Sequence, residues 1–215
     1  MTDVKICGLT RPGDVALACS LGARYVGFNF AAASPRRVDA ARARELAAAC
    51  SSGVVRVGVF VDETPEEIRA AADAASLDLL QIHRSLAEAD LSLPRPVIAL
   101  LRVDSRGEIS GTAPVLLEKC RAVLVDTAAA DAAGGTGRTF DWSALDGLRL
   151  PVPLFLAGGL DSGNVAAAIA RVRPAAVDVA SGVEASPGVK DPNLLERFFR
   201  AVRRADRIQA DAATA

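Results

Sequence analysis

Short apolar runs alternate with Ala- and Arg-rich stretches of helical character along the whole chain. The run Val97-Ile98-Ala99-Leu100-Leu101 is apolar at consecutive positions, which is typical of parallel strands that are covered by helices. Predicted strands lie near residues 4–7, 25–30, 55–61, 77–82, 97–103, 122–127, 153–157 and 176–180. The pattern therefore predicts eight successive units, each a strand followed by a helix.

Capping signals mark where two of these helices begin. Thr64-Pro65-Glu66-Glu67 combines an N-cap threonine, a proline at the first helical position and a capping-box glutamate. Asp191-Pro192 opens the last predicted helix in the same way. That helix carries an apolar stripe formed by Leu194, Leu195, Phe198, Phe199 and Val202. A helix with one apolar side packs onto a sheet from outside.

Eight such units leave two arrangements, a closed barrel and an open doubly wound sheet. An open sheet usually has fewer units and carries a glycine-rich fingerprint after its first strand. Here the first strand runs into Lys5-Ile6-Cys7-Gly8-Leu9-Thr10, without a G-x-G-x-x-G motif, and the glycine clusters come late. The sequence therefore predicts an α/β fold, a single closed (β/α)8 TIM barrel with its active site at the C-terminal ends of the strands.

Composition narrows the class of protein. A hydrophobic content of 51% over 215 residues suits one core, and we expect one barrel domain over residues 1–206 with a frayed tail over 207–215. The charges nearly cancel, 25 Lys and Arg against 26 Asp and Glu, and aromatic residues are few, so we expect no nucleic-acid partner. Four scattered cysteines favour a reducing cytoplasm, and no apolar run reaches the roughly 18 residues that span a membrane.

Three glycine-rich clusters follow successive apolar runs in the last third of the chain: Gly134-Gly135-Thr136-Gly137, Ala157-Gly158-Gly159 and Ser181-Gly182. One such cluster is most often only a turn. Three at the same end of a parallel sheet predict a phosphate site, because glycine lets backbone N–H groups approach an anion closely. The candidate phosphate-binding residues are Gly135, Thr136, Gly137, Gly158, Gly159, Ser181 and Gly182.

Closure of the barrel makes two reactive side chains meet. The first and eighth strands pair, so the sixth strand lies three steps from the first and their ends face each other across the mouth. Cys7 ends the first strand and Asp126 ends the sixth. A thiol and a carboxyl group beside a phosphate site suit proton transfer on two sides of a phosphorylated sugar. The structural alternatives are a small buried hydrophobe for the cysteine and a turn cap for the aspartate.

Alternation along the strands places further polar side chains inside the barrel. Lys5 shares a face with Cys7, and Asp178 lies on the adjoining eighth strand, so we expect an ion pair because a lone buried charge is costly. Gln81 and His83 end the fourth strand on one side. His83, the single histidine, either lines a substrate pocket or forms a hydrogen bond at the strand end without a direct catalytic part.

In these residues the chain resembles the phosphoribosylanthranilate isomerases along nearly all of its length. Individually several matching segments are weak, but their order on eight strands is highly specific. The segments are Lys5–Thr10; Gly27–Phe30 with Ser34–Val38; Val57–Val61; Leu80–His83; Val125–Thr127; Gly134–Gly137 running to Phe140–Trp142; Leu156–Leu160 with Asn164-Val165; and Asp178–Glu184 with Gly188–Asp191.

The resemblance implies an Amadori rearrangement in tryptophan biosynthesis, without cofactor or metal. N-(5-phosphoribosyl)anthranilate would become 1-(2-carboxyphenylamino)-1-deoxyribulose 5-phosphate. By similarity Asp126 is the general acid and Cys7 the general base, and we expect the cationic substrate to assist thiolate formation. Arg36 matches the residue that holds the anthranilate carboxylate, and motif register favours it over Arg37. Gln81, His83 and Asp178 complete the predicted substrate-binding set, with Asp178 either catalytic or structural.

Departures from the family pattern leave the substrate range open. The family commonly has glycine where Arg84 stands, serine where Ala180 stands and proline in the loop at Ser162-Gly163. One alternative is a histidine-pathway or dual-substrate isomerase, in which resemblance predicts a carboxylate at the position of Cys7. Others are a non-catalytic phosphosugar-binding barrel and recruitment to a specialised anthranilate-derived pathway. We expect a small phosphosugar partner and either a monomer or a homodimer.

Overall fold

The computed structural model describes residues 1–127 and 139–214. Its strands are β1 (Asp3–Ile6), β2 (Tyr25–Asn29), β3 (Val55–Phe60), β4 (Leu79–Ile82), β5 (Val97–Val103), β6 (Ile109–Gly111), β7 (Ala122–Thr127), β8 (Leu154–Leu156), β9 (Ala176–Val179), β10 (Glu184–Ser186) and β11 (Val189–Lys190). Its α-helices are α1 (Pro12–Leu21), α2 (Ala40–Ala48), α3 (Pro65–Ala74), α4 (Pro114–Leu117), α5 (Val165–Val172) and α6 (Pro192–Thr214).

Eight parallel strands close into a ring. Each pairs with the next along the chain, except that β5 pairs with β7, because β6 runs antiparallel to β5 outside the ring. The ring closes between β9 and β1, where Asp3 lies beside Ala176 and Lys5 beside Asp178. The predicted closed barrel is therefore confirmed. Within the described ranges, no helix is both long and apolar enough to cross a bilayer.

The helical layer is less regular than eight equal helices. Helix α3 has the predicted capping box, since Thr64 Oγ1 accepts from the Glu67 N–H at 3.3 Å and the Glu67 carboxylate accepts from the Thr64 N–H at 2.8 Å. Between β4 and β5, however, the chain forms only the short 3-10 turn Glu88–Ser92. Pro94 and Pro96 follow this turn at once, and proline cannot continue a helix because it lacks the N–H donor.

Strand alternation divides the core in two. Side chains such as Tyr25, Ile98 and Phe155 fill the inside of the ring towards the N-terminal ends of its strands. A larger apolar cluster lies between the ring and its helices and includes Phe198 of α6. Because the apolar filling gives way to polar residues higher in the ring, a cavity opens at the C-terminal ends of the strands.

Helix α6 continues past Asp206, where the sequence predicts the domain to end, and reaches Thr214. Alanine and glutamine in this stretch favour helix, and Gln209 Nε2 donates to the Ile169 carbonyl at 2.9 Å. The Asp206 carboxylate accepts from the N–H and the hydroxyl of Thr2, each at 2.8 Å. These bonds fasten the last helix to the start of the first strand. The domain boundary at residue 206 stays a prediction.

Two variants test that boundary. We expect Asp206→Ala to lower the free energy of unfolding by about 1 to 3 kcal/mol, because two donors of Thr2 lose their partner. Deletion of residues 207–215 should lower it by about 1 kcal/mol or less, since most side chains of residues 207–212 are exposed and the bond from Gln209 to Ile169 is a single neutral one. Urea denaturation measures both. A deletion more costly than Asp206→Ala would make the last residues an integral part of the domain.

Candidate active site

The cavity at the C-terminal ends of the ring strands gathers most of the predicted site. Its lining includes Cys7, Arg36, Gln81, His83, Asp126, Gly158, Gly159, Asp178 and Ser181. Gly182 lies beside it, with its backbone against the Leu160 carbonyl oxygen and no space for a Cβ. Gly135, Thr136 and Gly137 fall outside the described residues. The sequence-based expectation that strand ends converge on one mouth is therefore met for the described members of the set.

A buried ion pair forms the floor of the cavity. Lys5 Nζ lies 3.0 Å from both carboxylate oxygens of Asp178, as strand parity predicts. Burial opposes the charge on Lys5, but the Asp178 carboxylate and the neighbouring Cys7 sulfur together outweigh that effect, so the pKa of Lys5 lies above its ordinary value. Gly27 leaves room beside the pair, because a Cβ there would lie 3.3 Å from Lys5 Nζ and 3.0 Å from Cys7 Sγ.

Cys7 faces the cavity directly above this pair. Enclosure by the protein raises the pKa of its thiol, and the cationic groups of Lys5 and Lys190 only partly offset that effect. In the unliganded protein the sulfur therefore carries its proton at neutral pH. A base made from this thiol needs further positive charge close by, because an opposite charge favours the ionised form.

Asp126 also holds its proton unusually well, in this case for a carboxyl group. Burial raises its pKa to about 6, although the Thr127 N–H donates to Oδ1 at 2.7 Å and favours the charged form. Gly158 permits this burial. Its φ of +88° lies in the left-handed region, and a Cβ there would lie 3.1 Å from Asp126 Oδ1. Near neutral pH a usable fraction of Asp126 is protonated.

His83 is a neutral neighbour of Asp126. Burial lowers its pKa to about 4, with Arg102 and Lys5 adding to the effect. Its Nδ1 lies 3.4 Å from Gln81 Nε2, and its Nε2 lies 3.6 Å from Asp126 Oδ2. In the tautomer in which Nδ1 accepts from the Gln81 amide, the ring proton lies on Nε2 and points towards the carboxyl group. Gln81 Oε1 is buried and has no hydrogen-bond partner among the described residues, which leaves an acceptor for a ligand.

Two charged residues join the site without a predicted role. Glu184 of β10 accepts from Arg36 Nε at 2.9 Å and from Arg36 Nη2 at 2.7 Å. Lys190 of β11 lies 2.8 Å from the same carboxylate and also donates to the Ala180 carbonyl at 2.9 Å. Both residues belong to the hairpin that follows β9. The opposite charges of Glu184 and Lys190 in that short segment were the sequence signal that could have indicated these residues. Alternation along a strand does not connect either of them to Arg36.

Comparison with known proteins agrees with this geometry. Residues 4–201 match the family described as N-(5'phosphoribosyl)anthranilate (PRA) isomerase. The chain belongs to this family. A relative of the same name from Pseudomonas fluorescens is 44% identical over 203 residues, which cover 94% of this chain and 96% of the relative. One from Stutzerimonas stutzeri is 45% identical over 200 residues, with 93% and 96% covered.

Solved structures of phosphoribosylanthranilate isomerases share the fold. The Thermus thermophilus structure has a TM-score of 0.83 at 32% identity and covers 94% of this chain and 99% of its own. Another, solved in complex with reduced 1-(o-carboxyphenylamino)-1-deoxyribulose 5-phosphate, has a TM-score of 0.78 at 34% identity and covers 95% and 100%. The predicted family, its fold and its isomerase activity are confirmed.

The departures from the isomerase pattern have local structural explanations. Arg84 pairs with the Asp90 carboxylate at 2.6 and 2.9 Å, next to the 3-10 turn, and does not line the cavity. At position 180 the polar contact is made by the backbone carbonyl rather than by a side chain, because this carbonyl accepts a hydrogen bond from Lys190 Nζ. In the loop before α5, the Gly163 N–H donates to Asp161 Oδ1 at 2.7 Å, so an aspartate turn stands in the place of the usual proline.

The rim between β8 and β9 brings two glycine clusters together. Gly158 and Gly159 both have positive φ, +88° and +61°, and Ser181–Val183 form a 3-10 turn. Asn164 holds the first loop in place by donating from Nδ2 to the Gly159 carbonyl at 2.8 Å.

Among the described residues, no group of three His, Cys, Asp or Glu side chains is placed to hold a metal ion.

The raised pKa of Asp126 predicts a stability gain on its removal. The folded pKa is about 6 against an ordinary 3.8, so the folded state binds the proton more tightly than the unfolded chain. Stability falls as pH rises through this window, and the full cost of about 3 kcal/mol is present above the folded pKa. We expect Asp126→Asn to raise the free energy of unfolding by about 1 to 3 kcal/mol at neutral pH.

Urea denaturation across the pH range checks this prediction. The advantage of Asp126→Asn should shrink as pH falls from about 7 towards about 4.5, because the wild-type carboxyl group then becomes neutral in the folded state. An advantage that stays constant with pH would show that the carboxyl group is charged in the folded protein throughout. Asp104→Asn, on an exposed turn, serves as the matched control.

Proposed function

We propose that Cys7 and Asp126 are the general base and general acid with which this isomerase acts. The substrate is N-(5-phosphoribosyl)anthranilate, and the product is 1-(2-carboxyphenylamino)-1-deoxyribulose 5-phosphate, a step of tryptophan biosynthesis. The supporting observation is that a protonatable carboxyl group and a thiol line one cavity above a buried ion pair. No external reactant is needed, since the reaction only moves protons within the substrate.

The first proton transfer opens the sugar ring. Protonated Asp126 donates to the ring oxygen, the bond between that oxygen and C1 breaks, and the nitrogen lone pair forms an iminium ion. A carboxyl group with a pKa of about 6 suits this step, because it holds a proton near neutral pH and releases it readily. The Thr127 N–H then stabilises the carboxylate that remains.

The second proton transfer uses Cys7. The iminium ion adds a positive charge close to the thiol, which favours thiolate over thiol as Lys5 and Lys190 already do. The thiolate removes the proton from C2, and the electrons of that bond neutralise the iminium nitrogen. The resulting enolamine becomes the ketone by moving a proton from the C2 hydroxyl group to C1. The steps leave Cys7 as a thiol and Asp126 as a carboxylate, so the proton that the thiol lost to solvent on forming the thiolate is returned from solvent to Asp126, and atoms and charge balance over the whole reaction.

The positions of the two anion-binding regions suit a substrate that spans the mouth. Arg36, which follows β2, would bind the anthranilate carboxylate through its guanidinium group. The loops after β8 and β9, with Gly158, Gly159 and Ser181, would bind the phosphate, and the role of Gly135, Thr136 and Gly137 stays a prediction. Strand β1 lies between β2 and β9 in the ring, so Cys7 sits between the two ends of the substrate.

The remaining assignments follow the same reasoning. Gln81 and His83 would line the substrate pocket, and Asp178 would act on the substrate through Lys5 and Cys7 rather than by contact. The presence of Cys7 supports this isomerase over a histidine-pathway enzyme, for which resemblance predicts a carboxylate at that position. We place the protein in the cytoplasm and expect a monomer or a homodimer.

Single substitutions test the catalytic pair. In a fluorescence assay that follows loss of phosphoribosylanthranilate, we expect Cys7→Ala and Asp126→Asn each to lower kcat by about a hundredfold or more, the scale of one positioned acid or base. Both variants should still bind a phosphate-bearing product analogue. Cys19→Ala, which removes a thiol from α1 outside the ring, should keep wild-type activity. Full activity in Cys7→Ala would remove that residue from the mechanism.

The pH profile of kcat/KM gives a second test. The active form has Asp126 protonated and Cys7 ionised, although the carboxyl group has the lower pKa. Below about pH 6, kcat/KM should rise with pH because the fraction of thiolate grows. Above about pH 6, kcat/KM should reach a plateau, because the gain in thiolate is cancelled by loss of the carboxyl proton of Asp126. Asp126→Asn should remove this plateau, so its residual rate keeps rising until the thiol has titrated. A plateau that survives in the variant would contradict the assignment.

A further inference from the structure

A carboxylate is enclosed between two cationic side chains at the edge of the cavity. Glu184 has a side chain only 4% exposed, with Arg36 on one side and Lys190 on the other. Burial opposes its charge, but the hydrogen bonds from Arg36 and the ammonium group of Lys190 outweigh it, so the pKa of Glu184 lies below its ordinary value. Glu184 is therefore ionised at neutral pH, and the same contact raises the pKa of Arg36.

The Glu184 carboxylate occupies one particular edge of the guanidinium fork. It binds Nε and Nη2 of Arg36, the two nitrogens on one side of the planar group. Within the described residues, the structure shows no hydrogen bond to Arg36 Nη1. The second edge of the fork, between Nη1 and Nη2, therefore remains for another carboxylate, and Arg36 itself lines the cavity.

Glu184 is held in place independently of Arg36. The Lys190 N–H donates to the Asp14 carboxylate at 3.0 Å, and Thr10 Oγ1 donates to the Gly188 carbonyl at 2.5 Å. These contacts fix the hairpin of β10 and β11 on the loop after β1, through Thr10, and on the first turn of α1, through Asp14. The carboxylate is therefore a rigid support against which the long and flexible arginine side chain is oriented.

The charges of the cluster also suit a monoanionic group. Arg36 and Lys190 repel each other, and burial together with that repulsion disfavours the charged lysine. Glu184 is shared between the two groups, so the open edge of the fork keeps its N–H donors for a further anion. A ligand carboxylate placed there would satisfy these donors and would also favour the charged form of Lys190.

We propose that Glu184 is a positioning residue that holds the Arg36 guanidinium with its Nη1–Nη2 edge towards the cavity, where it receives the carboxylate of the substrate. The inference rests on the proposed function, in which Arg36 binds the anthranilate carboxylate. This inference adds a determinant of specificity: Arg36 supplies the positive charge, and Glu184 with Lys190 sets the orientation of the guanidinium group.

A pair of ligands separates this role from general stability. One is reduced 1-(o-carboxyphenylamino)-1-deoxyribulose 5-phosphate, and the other is the same compound without the carboxyl group. Isothermal titration calorimetry gives the ratio of their dissociation constants for the wild type, Glu184→Gln and Arg36→Met. Asp73→Asn, which removes the carboxylate partner of the half-buried Arg95 elsewhere on the molecule, is the matched control.

We expect the wild type and the control to prefer the carboxylate ligand, and Arg36→Met to lose this preference. In Glu184→Gln the preference should fall by about tenfold or more, while affinity for the ligand without the carboxyl group changes by about threefold or less. A structural defect would weaken both ligands alike and would overturn the proposal. Circular dichroism monitors folding of each variant.

Two failures are distinguishable. If the wild type shows no preference for the carboxylate ligand, the assignment of Arg36 in the proposed function is wrong. If Arg36→Met loses the preference and Glu184→Gln keeps it, Arg36 stands and the role of Glu184 is overturned. Should Glu184→Gln fail to fold, Glu184→Asp decides instead. It keeps the charge but withdraws it by one methylene group, so a fully retained preference in that variant would overturn the proposal.

Discussion

The ion pair between Lys5 and Asp178 is the constraint on which the rest of the site depends. It bridges β1 and β9, the two strands whose pairing closes the ring, and both partners lie inside the barrel. Taking either charge out of water alone costs several kcal/mol, so the pair is stable only where closure brings the two strands together. This contact therefore couples closure of the ring to the electrostatics of the site.

The pair leaves the cavity nearly neutral, and burial then governs the groups above it. Lys5 lowers the pKa of Cys7 and of Asp126, whereas Asp178 raises both, so the two effects oppose each other. What remains is the low polarity of the enclosure, which favours the neutral form of each group. That environment suits the proposed acid, Asp126, at once, whereas the proposed base, Cys7, needs positive charge from the substrate.

The sequence predicted most of the fold and of the cavity because both follow periodic rules. Apolar runs located all eight ring strands, and alternation along them placed Lys5, Cys7 and Asp178 on one face. Glu184 lies beyond the end of β9, where alternation no longer applies, and its partner Arg36 is 148 positions away. The extent of α6 is not set by such a rule: an Ala-rich stretch is ambiguous between helix and tail, and its helical form here is accompanied by the hydrogen bond from Gln209 to the Ile169 carbonyl.

His83 shows how one physical property can set two roles. Its pKa of about 4 keeps the imidazole neutral over the range in which Asp126, with a pKa of about 6, titrates. A charged imidazolium 3.6 Å from Asp126 Oδ2 would favour the carboxylate and so weaken the acid. The burial that deprives the histidine of its charge is the same burial that lets the aspartate keep its proton. A more open cavity would reverse both effects, which is a physical reason for a carboxyl group that keeps its proton to lie inside the ring rather than at its rim.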